Sequence, residues 1–331
     1  MATELTTRIL QDGPTAVAVA SRCLDQGGLL AFPTETVYGL GADARNGEAV
    51  ARLYEAKGRP SFNPLICHVG DAATAQALGR FDAAAARLAS ALWPGPLTLV
   101  VPQQSDCPVA ALATAGLPTI ALRVPDHPVA RAILDAFGKP VVAPSANRSG
   151  HVSPTTAQHV LADLGGRIDL IVDGGPTPVG LESSIVACLD QPALLRPGGL
   201  PRAAIEAVLG QPLAEAEAPA AVEEGVAPVA PGQLASHYAP RAMLRLNAEQ
   251  VNAGEALLAF GSSLPRGVTE GAAVLNLSAR GDLIEAAANL FAHLRALDAD
   301  GVSMIAVMPV PEQGLGEAIN DRLRRAQAPR R

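Results

Sequence analysis

Three things are scarce in this sequence, and each absence narrows the field. No apolar run approaches the ~20 residues that a membrane-crossing helix needs, so a multi-span membrane protein is excluded. The first residues, Met1 to Gln11, carry Glu4 and Arg8 with no apolar stretch behind them, which does not read as a signal peptide. The expectation is a cytoplasmic protein. Cysteine is sparse: Cys23, Cys67, Cys107 and Cys188 stand far apart, with no C-x-x-C pair and no histidine at zinc-ligand spacing, so they read as buried free thiols. Lysine is nearly missing, since only Lys57 and Lys139 stand among 25 basic residues. There is no G-x-x-x-x-G-K-[ST] run and no repeat of fixed period. A nucleotide bound here must be gripped by scattered basic residues.

What remains is ordinary for a globular protein. The 331 residues exceed the usual size of one domain, about 100–200 residues, and predict two. With 49% hydrophobic and 17% charged residues the chain is no candidate for disorder. A net charge of −7 means that the molecule as a whole repels a phosphate backbone, so any contact with nucleic acid has to be local.

The first two-thirds alternates short apolar runs with helical patterns, the signature of an α/β fold. Strands are predicted at Leu29–Pro33, Leu65–Val69, Leu97–Val101, Thr119–Val124, Val141–Ser145, Leu170–Val172 and Ser184–Leu189. Helices are predicted at Glu48–Lys57, Ala72–Leu78, Ala83–Leu92, Pro128–Phe137, Thr155–Leu164 and Pro201–Leu209. From Gly210 to Pro231 the composition turns to Ala, Glu and Pro, which cannot build a core and reads as an exposed linker. Beyond it, strands at Met243–Leu246, Ala256–Phe260, Val274–Leu277 and Met304–Val310 flank an amphipathic helix whose buried stripe runs from Leu283 to Leu297. The expected organisation is a first domain over 1–209, a linker or lid over 210–241, and a small α/β domain over 242–331.

Candidate chemistry clusters in a few short segments. Gly39-Leu40-Gly41-Ala42-Asp43-Ala44 formally matches a dinucleotide fingerprint, but no acidic residue follows at the required distance. Glycines permitting a tight turn are the better reading. Lys57-Gly58-Arg59-Pro60 has the chemistry of a helix C-terminus, with basic residues against the dipole, a terminating glycine and a proline. That does not account for a rare lysine there, nor for Asn63 and His68 around the next strand. His68 alone reads equally as a satisfied core histidine. Arg123 ends an otherwise apolar strand, where a guanidinium is costly to desolvate unless it meets an anion. Ala143-Pro144-Ser145-Ala146-Asn147-Arg148-Ser149-Gly150, Glu182-Ser183-Ser184 and Arg196-Pro197-Gly198-Gly199 supply hydroxyls, backbone N–H groups and another arginine. Together they suggest one anionic-ligand cleft at the strand ends.

Read in order, Pro33-Thr-Glu-Thr-Val-Tyr-Gly-Leu-Gly, Lys57-Gly-Arg-Pro with Asn63-Pro-Leu-Ile, Ala121-Leu-Arg-Val-Pro, Pro144-Ser-Ala-Asn-Arg-Ser-Gly, Glu182-Ser-Ser-Ile-Val and Arg196-Pro-Gly resemble the motifs of the YrdC-like threonylcarbamoyl-AMP synthases. The segment Pro231-Gly-Gln-Leu-Ala-Ser-His-Tyr-Ala-Pro240 and the domain after it resemble the long, two-domain form. Ser183-Ser184 stands where the family often has Ser-Thr, which keeps a hydroxyl in place.

The resemblance implies a twisted YrdC-like sheet around a basic cleft, with a smaller Rossmann-like C-terminal domain. It implies a nucleotidyltransferase that converts L-threonine, bicarbonate and ATP to threonylcarbamoyl-adenylate and pyrophosphate, for the threonylcarbamoyladenosine modification of tRNA. Carried over by motif, Thr36, His68, Arg123, Ala143 and Ser183 hold threonine. Arg59, Asn63, Thr119, Ser145, Ser153, Arg196 and Tyr238 hold ATP, and Lys57 with Arg59 forms the catalytic basic pair. Mg2+ is expected with ATP, although no carboxylate cage for it is visible. A tRNA threonylcarbamoyl transferase complex is the expected partner, with a weak tRNA contact besides. Two other readings stand beside this one: a non-catalytic RNA-binding module of the same fold, and a related carbamoyl-transfer enzyme, for whose zinc-finger and acyl-phosphatase-like sections the chain has neither cysteines nor length.

Overall fold

The computed structural model describes residues 5–215, 237–299 and 301–328. The first part runs β1 (Arg8–Gln11), α1 (Pro14–Asp25), β2 (Leu30–Pro33), β3 (Tyr38–Asp43), α2 (Gly47–Lys57), β4 (Ile66–His68), α3 (Ala72–Leu78), α4 (Ala83–Leu92) and β5 (Leu97–Pro102). It continues with β6 (Thr119–Arg123), α5 (Pro128–Phe137), β7 (Val141–Val142), α6 (Ala157–Leu164), β8 (Leu170–Asp173), β9 (Ser184–Ala187), β10 (Ala193–Arg196), α7 (Arg202–Leu209) and β11 (Ala214–Glu215). These strands form one mixed sheet in the order β1-β8-β2-β3-β7-β4-β6-β5-β9-β10-β11. After residue 236 come β12 (Met243–Arg245), β13 (Ala256–Ala259), β14 (Val274–Asn276), α8 (Leu283–Ala299), β15 (Met304–Val307) and α9 (Leu315–Gln327). Their sheet is entirely parallel, in the order β12-β15-β13-β14.

Local chemistry accounts for most boundaries. Asn46, Asp71, Asp82 and Thr156 each accept a backbone N–H from the first turn of the helix they precede, a cap contributing about 1 kcal/mol. Helix α5 buries Val129, Ala130, Ile133, Leu134 and Phe137, one stripe at helical spacing, against β2 and α1. Gly58 ends α2 in the left-handed conformation, φ 60°. The chain turns sharply there and sends Arg59 away from the helix axis.

The segment Tyr38–Asp43 differs from its reading as a tight turn. It is a strand, antiparallel to β2, with Thr34 to Val37 as the connecting turn. Its glycines admit close neighbours: a Cβ on Gly41 would sit 2.9 Å from Phe32 Cε1, and one on Gly39 would sit 3.2 Å from Ala143 Cβ. Such approach across a sheet requires glycine, and it removes any resemblance to a dinucleotide loop. The large sheet also runs past Leu209 to Glu215, where β11 pairs with β10. Cys67 and Cys188 are buried, while Cys23 and Cys107 are partly exposed.

The two sheets share a core. Val37, Val152 and Leu181 pack in the same buried cluster as Leu290, Phe291, Leu294, Ile319 and Leu323 of α8 and α9. At Gly180, φ 74°, a Cβ would lie 2.5 Å from the Ala287 carbonyl oxygen, so helix α8 rests directly on that backbone. Three ion pairs join the parts: Arg202 with Glu317 at 2.7 Å, Arg295 with Asp163 at 3.0 Å, and Arg322 with Glu182 at 2.8 Å. Arg295 Nη2 also donates to the Val152 carbonyl. Among the described residues no helix is long and apolar enough to cross a membrane.

Candidate active site

Pairing in the sheet brings the candidate residues together. His68 ends β4 opposite Arg123, which ends β6. Arg196 ends β10 opposite Ile185 of β9, which places Ser183, just before β9, beside it. Ser145 bridges to Gly39 of β3. Around this convergence lies a small cavity of about 50 Å³. Its wall includes nine of the expected residues: Thr36, Arg59, His68, Arg123, Ala143, Ser145, Ser183, Arg196 and Tyr238.

The wall is held by several local hydrogen bonds. Thr36 Oγ1 lies 2.7 Å from Thr34 Oγ1, whose hydroxyl donates to the Val37 carbonyl at 2.7 Å, fixing the turn between β2 and β3. Ser183 Oγ lies 2.7 Å from Thr98 Oγ1, and the Ser183 carbonyl accepts from Arg196 Nη2 at 2.9 Å. Arg59 Nη2 donates to the Pro64 carbonyl at 3.1 Å. Gly198 makes this possible on the β10 side, since a Cβ there would come within 2.4 Å of the Ser183 backbone.

The electrostatics favour an anion. Three guanidiniums, of Arg59, Arg123 and Arg196, line the cavity with one carboxylate, Glu182, and Arg123 has a second carboxylate, Glu35, 2.7 Å away. Burial, reinforced by the Arg123 charge, brings the His68 pKa down to about 3, so its ring is neutral. Burial and the charges of Arg59, Lys57, Arg196 and Arg322 push His237 well below its ordinary value. Burial alone would raise the Glu182 pKa, but Arg322, Arg196 and the Ser153 hydroxyl outweigh it and hold the group below the usual glutamate range. Two buried acceptors, Asn63 Oδ1 and Asn147 Oδ1, and His237 Nδ1 find no partner within the described residues. Such groups are expensive to leave unpaired.

Four expected residues stand outside the wall. Lys57, read as a basic residue at a helix C-terminus, is buried, with Nζ 2.5 Å from the carbonyl oxygens of Ser145 and Asn147. Burial and neighbouring Arg59 lower its pKa well below the ordinary lysine value. It braces the loop that carries Ser145. Asn63 is buried, and its carbonyl accepts from the Tyr54 hydroxyl at 2.9 Å. Ser153 donates to Glu182 Oε1 at 2.5 Å. Thr119 starts β6, four residues from Arg123 and therefore about 13 Å along the strand. Of the expected lid over 210–241, residues 216–236 lie outside the described residues. Tyr238, at its end, is buried with φ 63° and stacks on Phe291 at 5.7 Å.

Sequence reasoning passed over four charged or polar participants. Glu35 lies 2.7 Å from Arg123 Nη2, both side chains almost fully buried, off the angle of a directed hydrogen bond. The anion that Arg123 requires is thus present in the protein itself. Glu182 and His237 line the cavity. Arg322, fully buried, reaches Glu182 from α9. Glu35 and Glu182 sat inside motifs already singled out, whereas Arg322 sits in an ordinary charged helical sequence with no local signal.

Known proteins share this architecture. Residues 22–198 match the Sua5/YciO/YrdC family model, described as telomere recombination, and residues 200–328 match the model of the threonylcarbamoyl-AMP synthase C-terminal domain. A threonylcarbamoyl-AMP synthase of Bacillus subtilis is 42% identical over 328 residues, covering 94% of this chain and 92% of its own. One from Pyrococcus abyssi is 41% identical over 329 residues, covering 94% and 93%. The crystal structure of Pyrococcus abyssi Sua5 complexed with L-threonine superposes with a TM-score of 0.85 at 38% identity, over 98% of both chains.

Proposed function

The chain belongs to the threonylcarbamoyl-AMP synthase family, and from that premise we propose how its cavity joins L-threonine, bicarbonate and ATP. The observation that carries the reading is the convergence of Arg59, Arg123 and Arg196 on one cavity lined by hydroxyls. Three guanidiniums are excessive for an amino acid alone and suit an amino acid beside a polyphosphate.

Arg123 receives the threonine carboxylate, with Glu35 holding its guanidinium in place. Thr36, His68, Ala143 and Ser183 surround the rest of the amino acid. The neutral His68 ring adds no charge that would repel the threonine ammonium. Arg59 and Arg196 take the phosphates, with Ser145 beside them and Asn63, Ser153, Thr119 and Tyr238 completing the nucleotide's surroundings. The free Oδ1 of Asn63 offers an acceptor to a nucleoside N–H or hydroxyl.

The threonine amine, once deprotonated, adds to carbon dioxide derived from bicarbonate and gives a carbamate. A carbamate oxygen then attacks the α-phosphorus in line, and pyrophosphate leaves. The protein forms no covalent bond. Its work is positioning and stabilisation of charge on the phosphoryl oxygens. Arg59 acts there directly, while Lys57 acts by fixing the Ser145–Asn147 backbone. Magnesium would arrive on the nucleotide, because among the described residues no three carboxylate, histidine or cysteine side chains gather around one point. The product is unstable, so a tRNA threonylcarbamoyl transferase complex in the cytoplasm is its expected recipient.

The test is direct. Purified protein with ATP and bicarbonate should release pyrophosphate only when L-threonine is added. Release that ignores threonine, or none at all, would refute the reading; salt-sensitive RNA binding without turnover would favour an RNA-binding module.

A further inference from the structure

The small C-terminal sheet contributes a side chain to this site without touching the cavity. Arg322, on α9, has no exposed surface. Its Nε lies 2.8 Å from Glu182 Oε2, its Nη1 lies 2.5 Å from Asp321 Oδ2, and its guanidinium carbon sits 4.9 Å from the centre of the Tyr238 ring. Glu182 and Tyr238 both line the cavity, and Arg322 does not.

Stability does not account for this arrangement. A fully desolvated ion pair contributes little net stability, and apolar residues of similar volume do as well or better. The same surroundings hold Tyr238 at φ 63°, a conformation unfavourable for a non-glycine residue. The location accounts for more. Glu182 is the one carboxylate in a wall of three arginines, and an uncompensated carboxylate there would repel a polyphosphate.

We propose that Arg322 is a positioning residue for nucleotide binding: it neutralises Glu182 at the cavity wall, so that the C-terminal part completes the ATP site from behind. This rests on the proposed function above.

The test compares ATP binding by calorimetry in the full-length wild type and in Arg322→Met, Glu182→Gln, the double variant and Arg322→Lys. With only Arg196 and the Ser153 hydroxyl left to Glu182, Arg322→Met should bind ATP at least about tenfold more weakly, equivalent to about 1.4 kcal/mol. Threonine, zwitterionic and carrying no net charge, should change far less. Adding Glu182→Gln removes the carboxylate charge and should return ATP affinity to within about threefold of wild type, and Arg322→Lys should lie between. A bracing role by packing alone would leave the double variant as weak as Arg322→Met. That result, or wild-type ATP affinity in Arg322→Met, overturns the proposal. If Arg322→Met does not fold, the double variant decides, since it carries neither buried charge. If neither folds, Glu182→Gln decides: it should bind ATP at least as tightly as wild type, and a loss of more than about threefold overturns the proposal. Wild-type protein that binds no ATP would overturn the proposed function as well, which separates the two failures.

Discussion

Removing Arg123 disturbs two interactions at once, and the structure shows how to separate them. Arg123 and Glu35 are about 5% and 7% exposed and 2.7 Å apart. Arg123→Met therefore leaves a buried carboxylate without its partner, which costs on the order of 3–5 kcal/mol of stability. It also deprives threonine of the carboxylate partner assigned to it, a loss of about 2–5 kcal/mol in binding. The smaller figure is already about a 30-fold weaker dissociation constant. In the double variant Arg123→Met/Glu35→Gln no buried charge is left bare, so most of the stability should return while threonine binding stays at least about 30-fold weak. Urea unfolding reads the first quantity. Threonine titration calorimetry and threonine-dependent pyrophosphate release read the second, with ATP affinity as the control. Recovery of threonine affinity in the double variant would refute Arg123 as the carboxylate partner. The Arg322–Glu182 pair should behave in the opposite way: there function should return with the second substitution, and here it should not.

Lys57→Met should destabilise by about 1–3 kcal/mol, because the Ser145 and Asn147 carbonyls lose their donor, and should slow pyrophosphate release at least about tenfold; wild-type stability and rate together would show that the ammonium supports neither. Tyr238→Ala should lower the melting temperature of the ligand-free protein, because it empties a buried ring site worth about 3–5 kcal/mol, while Tyr238→Phe keeps most of it; an unchanged melting temperature in the alanine variant would contradict the observed packing. The His68 pKa, lowered to about 3 by burial and by Arg123, gives a pH dependence of definite sign. The unfolded chain takes up that proton near pH 6.5 and the folded one does not. Stability therefore falls as pH drops through the window from about 6.5 to about 3, by roughly 1.4 kcal/mol per pH unit for this group. Between pH 7 and pH 5, His68→Gln should lose about 2 kcal/mol less than wild type in urea unfolding; equal losses would show that the ring is protonated in the native state.

Much of this protein is legible without coordinates. Helices α3, α4 and α5 fall on the residues that their apolar spacing and flanking signals indicate, because Asp71, Asp82 and Pro128 mark starts and Gly138 marks a stop by local chemistry alone. The motif segments are equally local, each a few hydroxyl, glycine or basic residues at a strand or helix end, and nine of the expected site residues meet in one cavity. Other elements were not legible. Helix α1, strand β1 and helix α9 gave no reading, and Tyr38–Asp43 became a strand because neighbouring strands β2 and β7 accept its glycines at close range. The same holds for charge. That Arg123 needs an anion follows from its apolar strand, but that the anion is Glu35 depends on a hairpin bringing residue 35 over β6. Lys57 reads as a basic residue at a helix end, and only the fold brings the Ser145 and Asn147 carbonyls onto it. The pairing of Glu182 with Arg322 spans 140 positions. Local sequence determines which groups are available and where elements begin and end, whereas desolvation and charge pairing depend on distances between remote segments, and those only the folded sheet and its docked partner decide.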